Sequence, residues 1–237
     1  MPTEIEKIKI TKPEIEFWTK KELDYFLNEI KDNYLFKPVF IDVLTGLRIG
    51  ELCGLRWKDV DFEKGIISIN GQIVLDRTKK ELLYTTILKT DTAFRKITIP
   101  KILIDYLKDL HDAINPLEND FIVKDRENKM CNPRNLSMNF TRTIQKYKKP
   151  INELKTVPDN YMQLKQITFH GLRHTHATLL ILNGENIKVV SERLGHKDIS
   201  TTLNTYTHVM EEMKDNTANL LQGIFNNIVP PKTDFIF

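Results

Sequence analysis

The sequence has only two cysteines, Cys53 and Cys131, among its 237 residues. They form no C-x-x-C motif, so no disulfide framework is predicted, and a reducing cytosol is the expected compartment. No apolar run approaches the ~20 residues of a membrane-spanning helix, and residues 1–6 do not resemble a signal peptide. We therefore expect a cytoplasmic protein without a membrane partner.

Arginine is also scarce, at nine residues against 26 lysines, and the formal net charge is only +3. So small a net charge does not by itself predict nucleic-acid binding, but its distribution is uneven. Residues 77–101 hold seven basic and two acidic side chains, and residues 142–165 hold six and two. These clusters fit either a solvated surface or a surface that neutralises DNA phosphates. The side chains expected to contact DNA are those of Lys79, Lys80, Arg95, Lys96, Arg142 and Lys146.

The periodicity of apolar residues is helical over most of the chain. It changes to the alternation of strands only between Gly65 and Pro100. The sequence therefore predicts an α+β fold, with a mainly helical domain and a small antiparallel β-sheet. One predicted helix follows a capping box at Thr19–Glu22. Further predicted helices cover residues 36–45, 101–112 and 132–148. The predicted strands cover residues 66–69, 72–75, 83–88 and 96–99.

Three segments follow from this pattern. Residues 1–14 lack periodicity and are interpreted as the end of a linker, and residues 15–222 form the folded domain. Residues 223–237 form an apolar tail that Pro230 and Pro231 prevent from being one helix. The tail is expected either to fold back on its own domain or to dock on a neighbouring subunit.

Chemically competent side chains concentrate in the last third of the chain. His170 and Arg173 form a His-x-x-Arg pair, which a helix would place one turn apart on one face. Such a face could hold an anionic group between an imidazole and a guanidinium. His196 follows Gly195, which is expected to end a short helix. Tyr206 lies ten residues further on, in a helix for which Ser200 is the expected N-cap.

A second arginine, Arg48, lies far upstream in ThrGlyLeuArgIleGlyGluLeu. With Arg48 included, the sequence resembles the tyrosine recombinase (phage integrase) family over about residues 15–215. Members of that family carry Arg, Lys, His-x-x-Arg, His or Trp, and Tyr in this order. The resemblance implies the catalytic residues Arg48, Lys89, His170, Arg173, His196 and Tyr206.

The resemblance also implies how these residues act. Guanidinium groups stay charged and present a planar fork to phosphate oxygens, and Glu51, one turn from Arg48, would orient that side chain. Lys89, in a predicted hairpin turn, would protonate the leaving 5′-oxygen. Tyr206 would attack the phosphate and form a 3′-phosphotyrosine. Neither a metal nor another cofactor is expected.

Other interpretations remain open. His170, His174 and His176 could suggest zinc, but Gly171 stands where His-Glu-x-x-His requires glutamate. We expect His174 and His176 to be helix-packing residues. An inactive DNA-binding module of the same fold, and a type IB topoisomerase that nicks and religates DNA, share these features.

The resemblance further implies the partners. We expect a site-specific recombinase, such as the integrase or transposase of a mobile element, that binds double-stranded attachment sites. It would be a monomer when free and a homotetramer on DNA, associated with the nucleoid when bound. An excisionase or a DNA-bending protein could assist it. Full members carry an N-terminal core-binding domain, so the chain is either a fragment or a short natural member.

Overall fold

The computed structural model describes residues 15–76, 78–86, 94–147 and 161–224, without the side chains of residue 208 and residues 211–220. Helices dominate the described part of the chain. The α-helices are α1 Lys20–Glu29, α2 Phe36–Thr45, α3 Ile49–Gly54, α4 Lys101–Ile114, α5 Pro133–Ile144, α6 Phe169–Leu182, α7 Ile187–Leu194 and α8 Ile199–Ile224. Short 3₁₀ turns cover Trp57–Asp59 and Gln145–Tyr147.

The strands form two antiparallel sheets instead of the single sheet that the sequence predicted. They are β1 Val60–Asp61, β2 Ile66–Ile69, β3 Gln72–Asp76, β4 Glu81–Thr85 and β5 Arg95–Thr98. One sheet has the order β1-β2-β5, with Ile67 opposite Ile97, and β3 and β4 form a separate hairpin. The hairpin separates because β3 lies on α3, where a Cβ at Gly54 would come within 2.8 Å of the Gln72 backbone. Only glycine permits so close an approach.

Local capping signals place most helix ends where the sequence predicted them. Thr19 and Glu22 form the capping box of α1, and α2 ends at Gly46, whose φ of 66° is left-handed. Gly195 ends α7 in the same conformation. The prediction that Ser200 caps α8 is wrong, because the Asp198 carboxylate accepts the Ser200 backbone N–H at 2.8 Å.

An aromatic cluster in the core joins the two ends of the domain. The Trp18 and Phe26 ring centroids lie 4.8 Å apart, and Phe140 lies 5.6 Å from Phe26 and 5.2 Å from Phe169. The Trp18 backbone N–H also donates to the Thr175 hydroxyl at 3.0 Å. Buried aromatic pairs of this kind stabilise beyond their area alone. They fix α6 against α1 and α5.

Two of the predicted segments fall largely outside the described residues. These are the linker at 1–14 and all but the first two residues of the tail at 223–237. Over the ranges that are described, no helix combines the length and the apolarity needed to cross a membrane.

Candidate active site

Arg173 lies at the centre of a cluster of basic side chains. Its helix, α6, begins at Phe169 and is capped by Thr168, whose side chain accepts the Gly171 backbone N–H. The Arg173 side chain is almost fully buried, and its Nη1 donates to the Gly46 carbonyl at 2.6 Å. Burial, reinforced by the charge of Arg48, lowers the pKa of Arg173 to about 10. The guanidinium therefore remains charged at neutral pH.

Three consecutive backbone carbonyls at the end of α7 each accept a hydrogen bond from a different arginine. The pairs are Arg95 Nε to Arg193 O at 2.7 Å, Arg173 Nη2 to Leu194 O at 2.6 Å and Arg48 Nη2 to Gly195 O at 2.9 Å. Carbonyls at a helix C-terminus lack helical partners and carry the negative end of the helix dipole. This carbonyl row, residues 193–195, therefore holds three cationic groups side by side.

Glu51 links two of the same arginines from the opposite side. Its carboxylate is 2% exposed, and it accepts from Arg48 Nη1 at 2.8 Å and from Arg95 Nη2 at 2.9 Å. Burial acts to raise the pKa of Glu51, but Arg95 and then Arg48 hold it below its ordinary value. The carboxylate is thus ionised at neutral pH and fixes both guanidinium groups.

The position of Arg95 differs from the one expected from the sequence. We expected it to contact DNA, yet only 7% of its side chain is exposed, and its guanidinium bonds to Glu51 and to the Arg193 carbonyl. Arg95 therefore belongs to the interior of the arginine cluster and not to a DNA-facing surface. The Glu51 carboxylate, 44 positions away in sequence, is what draws it inward.

The other basic residues expected to contact DNA are on the surface. Lys79 and Lys80 are exposed in the turn between β3 and β4, and Lys96 is exposed on β5. Arg142 and Lys146 are exposed at the end of α5 and in the 3₁₀ turn that follows it. Lys89, the expected general acid, lies outside the described residues.

His196 follows the carbonyl row and contacts Arg173. Arg173 Nη2 lies 3.0 Å from His196 Nε2, and His196 Nδ1 lies 2.8 Å from the Thr202 hydroxyl. Because arginine only donates, we assign Nε2 as the acceptor and Nδ1 as the protonated nitrogen. Burial, followed by the charges of Arg173 and Arg48, lowers the pKa of His196 to about 4. The ring is therefore neutral at neutral pH.

Tyr206 is buried at a kink within α8. Its φ of −111° and ψ of 19° are not helical, and the side chain is 1% exposed. Its hydroxyl lies 2.9 Å from Nδ1 of His174. Burial raises the pKa of Tyr206 well above its ordinary value, although the charge of Arg173 acts in the opposite direction. The phenol is protonated in this arrangement.

His174 is therefore not only the packing residue that we expected. A sequence signal for this did exist, because His170 and His174 are four residues apart and face the same side of α6. Their ring centroids lie 4.7 Å apart, with His170 exposed at the edge of the cluster. His176, on another face, packs as expected, with Nδ1 2.8 Å from the Val43 carbonyl.

No metal site accompanies these histidines in the described part of the chain. Among those residues, no group of three or more His, Cys, Asp or Glu side chains is arranged to hold a metal ion.

The cluster brings together five of the six expected catalytic residues: Arg48, His170, Arg173, His196 and Tyr206. The arrangement offers an anion a set of fixed cations beside a buried phenol.

Comparisons with known proteins show the family of the chain. A model of the phage integrase family matches residues 16–213. A tyrosine recombinase XerC-like protein of Caldanaerobacter subterraneus subsp. tengcongensis is 32% identical over 230 residues, covering 90% of this chain and 55% of the relative. The ICEBs1 integrase of Bacillus subtilis is 28% identical over 235 residues, with 92% and 58% covered.

Solved structures show the same fold. The Tn1549 transposon integrase, in complex with transposon right end DNA, superimposes with a TM-score of 0.68 at 26% identity, covering 87% of this chain and 67% of that one. XerA recombinase gives 0.61 at 21% identity, with 90% and 66% covered, which supports the fold alone. The chain belongs to the phage integrase family, and the catalytic-domain fold predicted from its sequence is confirmed. It spans little more than half the length of the two relatives.

Proposed function

We propose that this chain is the catalytic part of a site-specific DNA recombinase of a mobile element. The observation that carries the proposal is the convergence of Arg48, Arg173 and His196 beside Tyr206, from three separate parts of the sequence. Integrases among the relatives, and the solved integrase bound to transposon DNA, support a DNA substrate and a mobile-element role.

The fixed guanidinium groups suit the charge of a phosphodiester transition state. A guanidinium carries five N–H donors, and hydrogen bonds to the described residues use two from Arg48 and three from Arg173. Donors therefore remain on both side chains for the non-bridging phosphate oxygens. Because the carbonyl row and Glu51 hold them in place, no reorganisation is needed as negative charge develops.

The reaction we propose conserves the energy of the phosphodiester bond. The Tyr206 oxygen forms a bond to phosphorus as the bond to the 5′-oxygen breaks, which leaves a 3′-phosphotyrosine and a free 5′-hydroxyl. Lys89, by family resemblance, supplies the proton to the leaving oxygen. Attack by a second 5′-hydroxyl on the phosphotyrosine rejoins the strands and releases the phenol.

Covalent trapping on nicked DNA tests this proposal. The substrates are duplexes of random sequence that carry a nick a few nucleotides 3′ to each possible scissile phosphate. After cleavage, the short strand between the scissile phosphate and the nick dissociates, so religation cannot occur. Denaturing electrophoresis in EDTA should then show a protein–DNA adduct. The absence of any adduct would favour the inactive DNA-binding module, whereas dependence on Mg²⁺ or Zn²⁺ would contradict the cation-based mechanism. On an intact duplex, where the cleaved strand can be rejoined, nicking and religation of a single strand without exchange would favour topoisomerase chemistry.

Assembly on DNA is part of the same proposal. The chain would be a monomer when free and a homotetramer on paired attachment sites, associated with the nucleoid, with an excisionase or DNA-bending protein as possible accessories. Tail residues 224–237 would dock on the neighbouring subunit. Each buried apolar side chain of the tail would contribute ~1.5–3 kcal/mol before ordering costs. Sedimentation with and without DNA tests this, because a chain lacking 224–237 should remain folded but lose cooperative assembly. Unchanged assembly would place the tail on its own domain.

A further inference from the structure

We propose that His174 is a further catalytic residue, which accepts the proton of the Tyr206 hydroxyl as the phenol oxygen attacks the scissile phosphate. This inference rests on the proposed function and adds to it the destination of the nucleophile's proton. It assigns a catalytic role to a histidine outside the set of six residues expected from the sequence.

The geometry allows direct transfer. The Tyr206 hydroxyl and His174 Nδ1 are 2.9 Å apart, within the range for proton transfer without an intervening water. The two rings meet edge to face, with centroids 5.8 Å apart. His174 directly follows Arg173 on α6, so the acceptor and the phosphate-binding guanidinium are held by one rigid helix.

The direction of the hydrogen bond follows from the protonation states. Burial, followed by the charges of His170, Arg173 and His196, lowers the pKa of His174 to about 4. The imidazole is neutral at neutral pH, and the Tyr206 phenol, whose pKa is raised by burial, is protonated. The hydroxyl therefore donates, Nδ1 accepts, and Nε2 of His174 carries the ring proton.

The two other histidines of the cluster are less suited to this step. Both ring nitrogens of His196 are engaged, one with Arg173 and one with Thr202. His170 packs against the His174 ring, with centroids 4.7 Å apart, and is exposed. The contact with the reacting oxygen of Tyr206 belongs to His174.

Bound DNA would make the transfer easier. In the DNA-free protein, the charge of Arg173 and any positive charge on His170 and His196 oppose protonation of His174. A phosphate held by Arg48 and Arg173 adds negative charge beside them and offsets this effect. In the step itself, the O–H bond of Tyr206 breaks, its proton moves to Nδ1 of His174, the oxygen bonds to phosphorus, and the 5′-oxygen leaves with a proton from another acid.

A lower-pKa nucleophile provides a test that packing effects would not mimic. The full chain, with Tyr206 replaced by 3,5-difluorotyrosine, depends less on a proton acceptor because its phenol ionises more readily. In the trapping assay, on a nicked duplex selected with the unsubstituted chain, His174→Asn should lower the rate of adduct formation about 100-fold. Asparagine can still accept the hydrogen bond of the phenol but cannot take its proton. With 3,5-difluorotyrosine at position 206, the rate of adduct formation by the His174→Asn variant should rise at least about tenfold.

His170→Asn is the matched control, because it makes the same change one helical turn earlier. Its defect should not shrink with the fluorinated nucleophile. Equal rates for His174→Asn and the unsubstituted chain would overturn the proposal, and so would a defect that fluorination leaves unchanged, since His174 would then only position the tyrosine. Rescue confined to His170→Asn would assign the proton to His170. If the unsubstituted chain forms no adduct on any duplex, the proposed function itself fails, and this inference with it.

Discussion

The two halves of the site are held in different ways. The arginine half consists of Arg48, Arg95 and Arg173, each bonded to the carbonyl row at the end of α7, with Glu51 joining two of them. The nucleophile half consists of Tyr206 on a kinked helix, and its hydroxyl is held by one hydrogen bond to His174. In the part of the chain that the structure describes, several partners fix the cations, whereas one partner holds the phenol.

This difference separates two requirements of the proposed reaction. Cations that stabilise a transition state act best when they are already in place, and the carbonyl row provides that before DNA binds. A phenol that is buried, protonated and bonded to a neutral imidazole is not reactive on its own. The site is thus prepared to bind a phosphate, while attack depends on removing one proton. The following experiments, in order of decreasing effect, test that division.

Loss of the nucleophile should have the largest effect. Tyr206→Phe removes only the phenol oxygen and keeps the ring in its buried place, so no covalent adduct should form at any time. Non-covalent DNA affinity, measured by fluorescence anisotropy, should change little. An adduct that persists in this variant would assign the nucleophile to another residue.

Weakening the arginine half should lower the rate without abolishing it. Arg48→Lys and Arg173→Lys keep the charge but lose the planar fork that bonds to both phosphate and carbonyl oxygens. A preorganised contact of this kind is worth ~3–4 kcal/mol, so single-turnover cleavage should fall about 100- to 1,000-fold. Rates close to that of the unsubstituted chain would show that charge alone is sufficient.

Arg95 and Lys96 form a matched pair of neighbours that face opposite ways. Arg95→Met leaves part of the Glu51 carboxylate without a partner and should lower the free energy of unfolding by about 1–3 kcal/mol in urea titrations. Lys96→Met should leave stability within about 0.5 kcal/mol. It should instead reduce the salt dependence of DNA binding by about one phosphate contact. If Arg95→Met instead reduced the salt dependence and Lys96→Met lowered the stability, Arg95 would be assigned to the DNA-binding surface.

At neutral pH the buried His176 should have the smallest effect, because its contribution to stability changes only in acid. Burial, with the charge of Arg193 adding to it, lowers the pKa of His176 to about 3 in the folded chain, against 6.5 for the free side chain. Between those values the unfolded state binds the extra proton, so stability is retained above pH 6.5 and falls as the pH drops towards 3. His176→Gln should flatten that dependence by up to ~1.4 kcal/mol per pH unit. Parallel curves of unfolding free energy against pH for the two proteins would contradict this.

Much of this fold could be predicted because its signals are local. The capping box at Thr19, the left-handed glycines at 46 and 195, and the strand alternation after Gly65 each act over a few residues. The same is true of the His-x-x-Arg pair, since positions three apart on a helix always share a face. The separation of the hairpin from the β1-β2-β5 sheet was not predicted, because it depends on contact between β3 and α3.

The sequence by itself determined the family, the order of the site residues and the ends of most helices, since each depends on residue type and short spacing. Only the tertiary structure decided which polar groups face inward. Arg95 is adjacent in sequence to Lys96, which is exposed, yet Arg95 bonds to a buried carboxylate 44 positions away. His174 meets Tyr206 across 32 positions. A buried charge or hydroxyl must find a partner wherever the chain brings one, and spacing along the sequence does not specify where that will be.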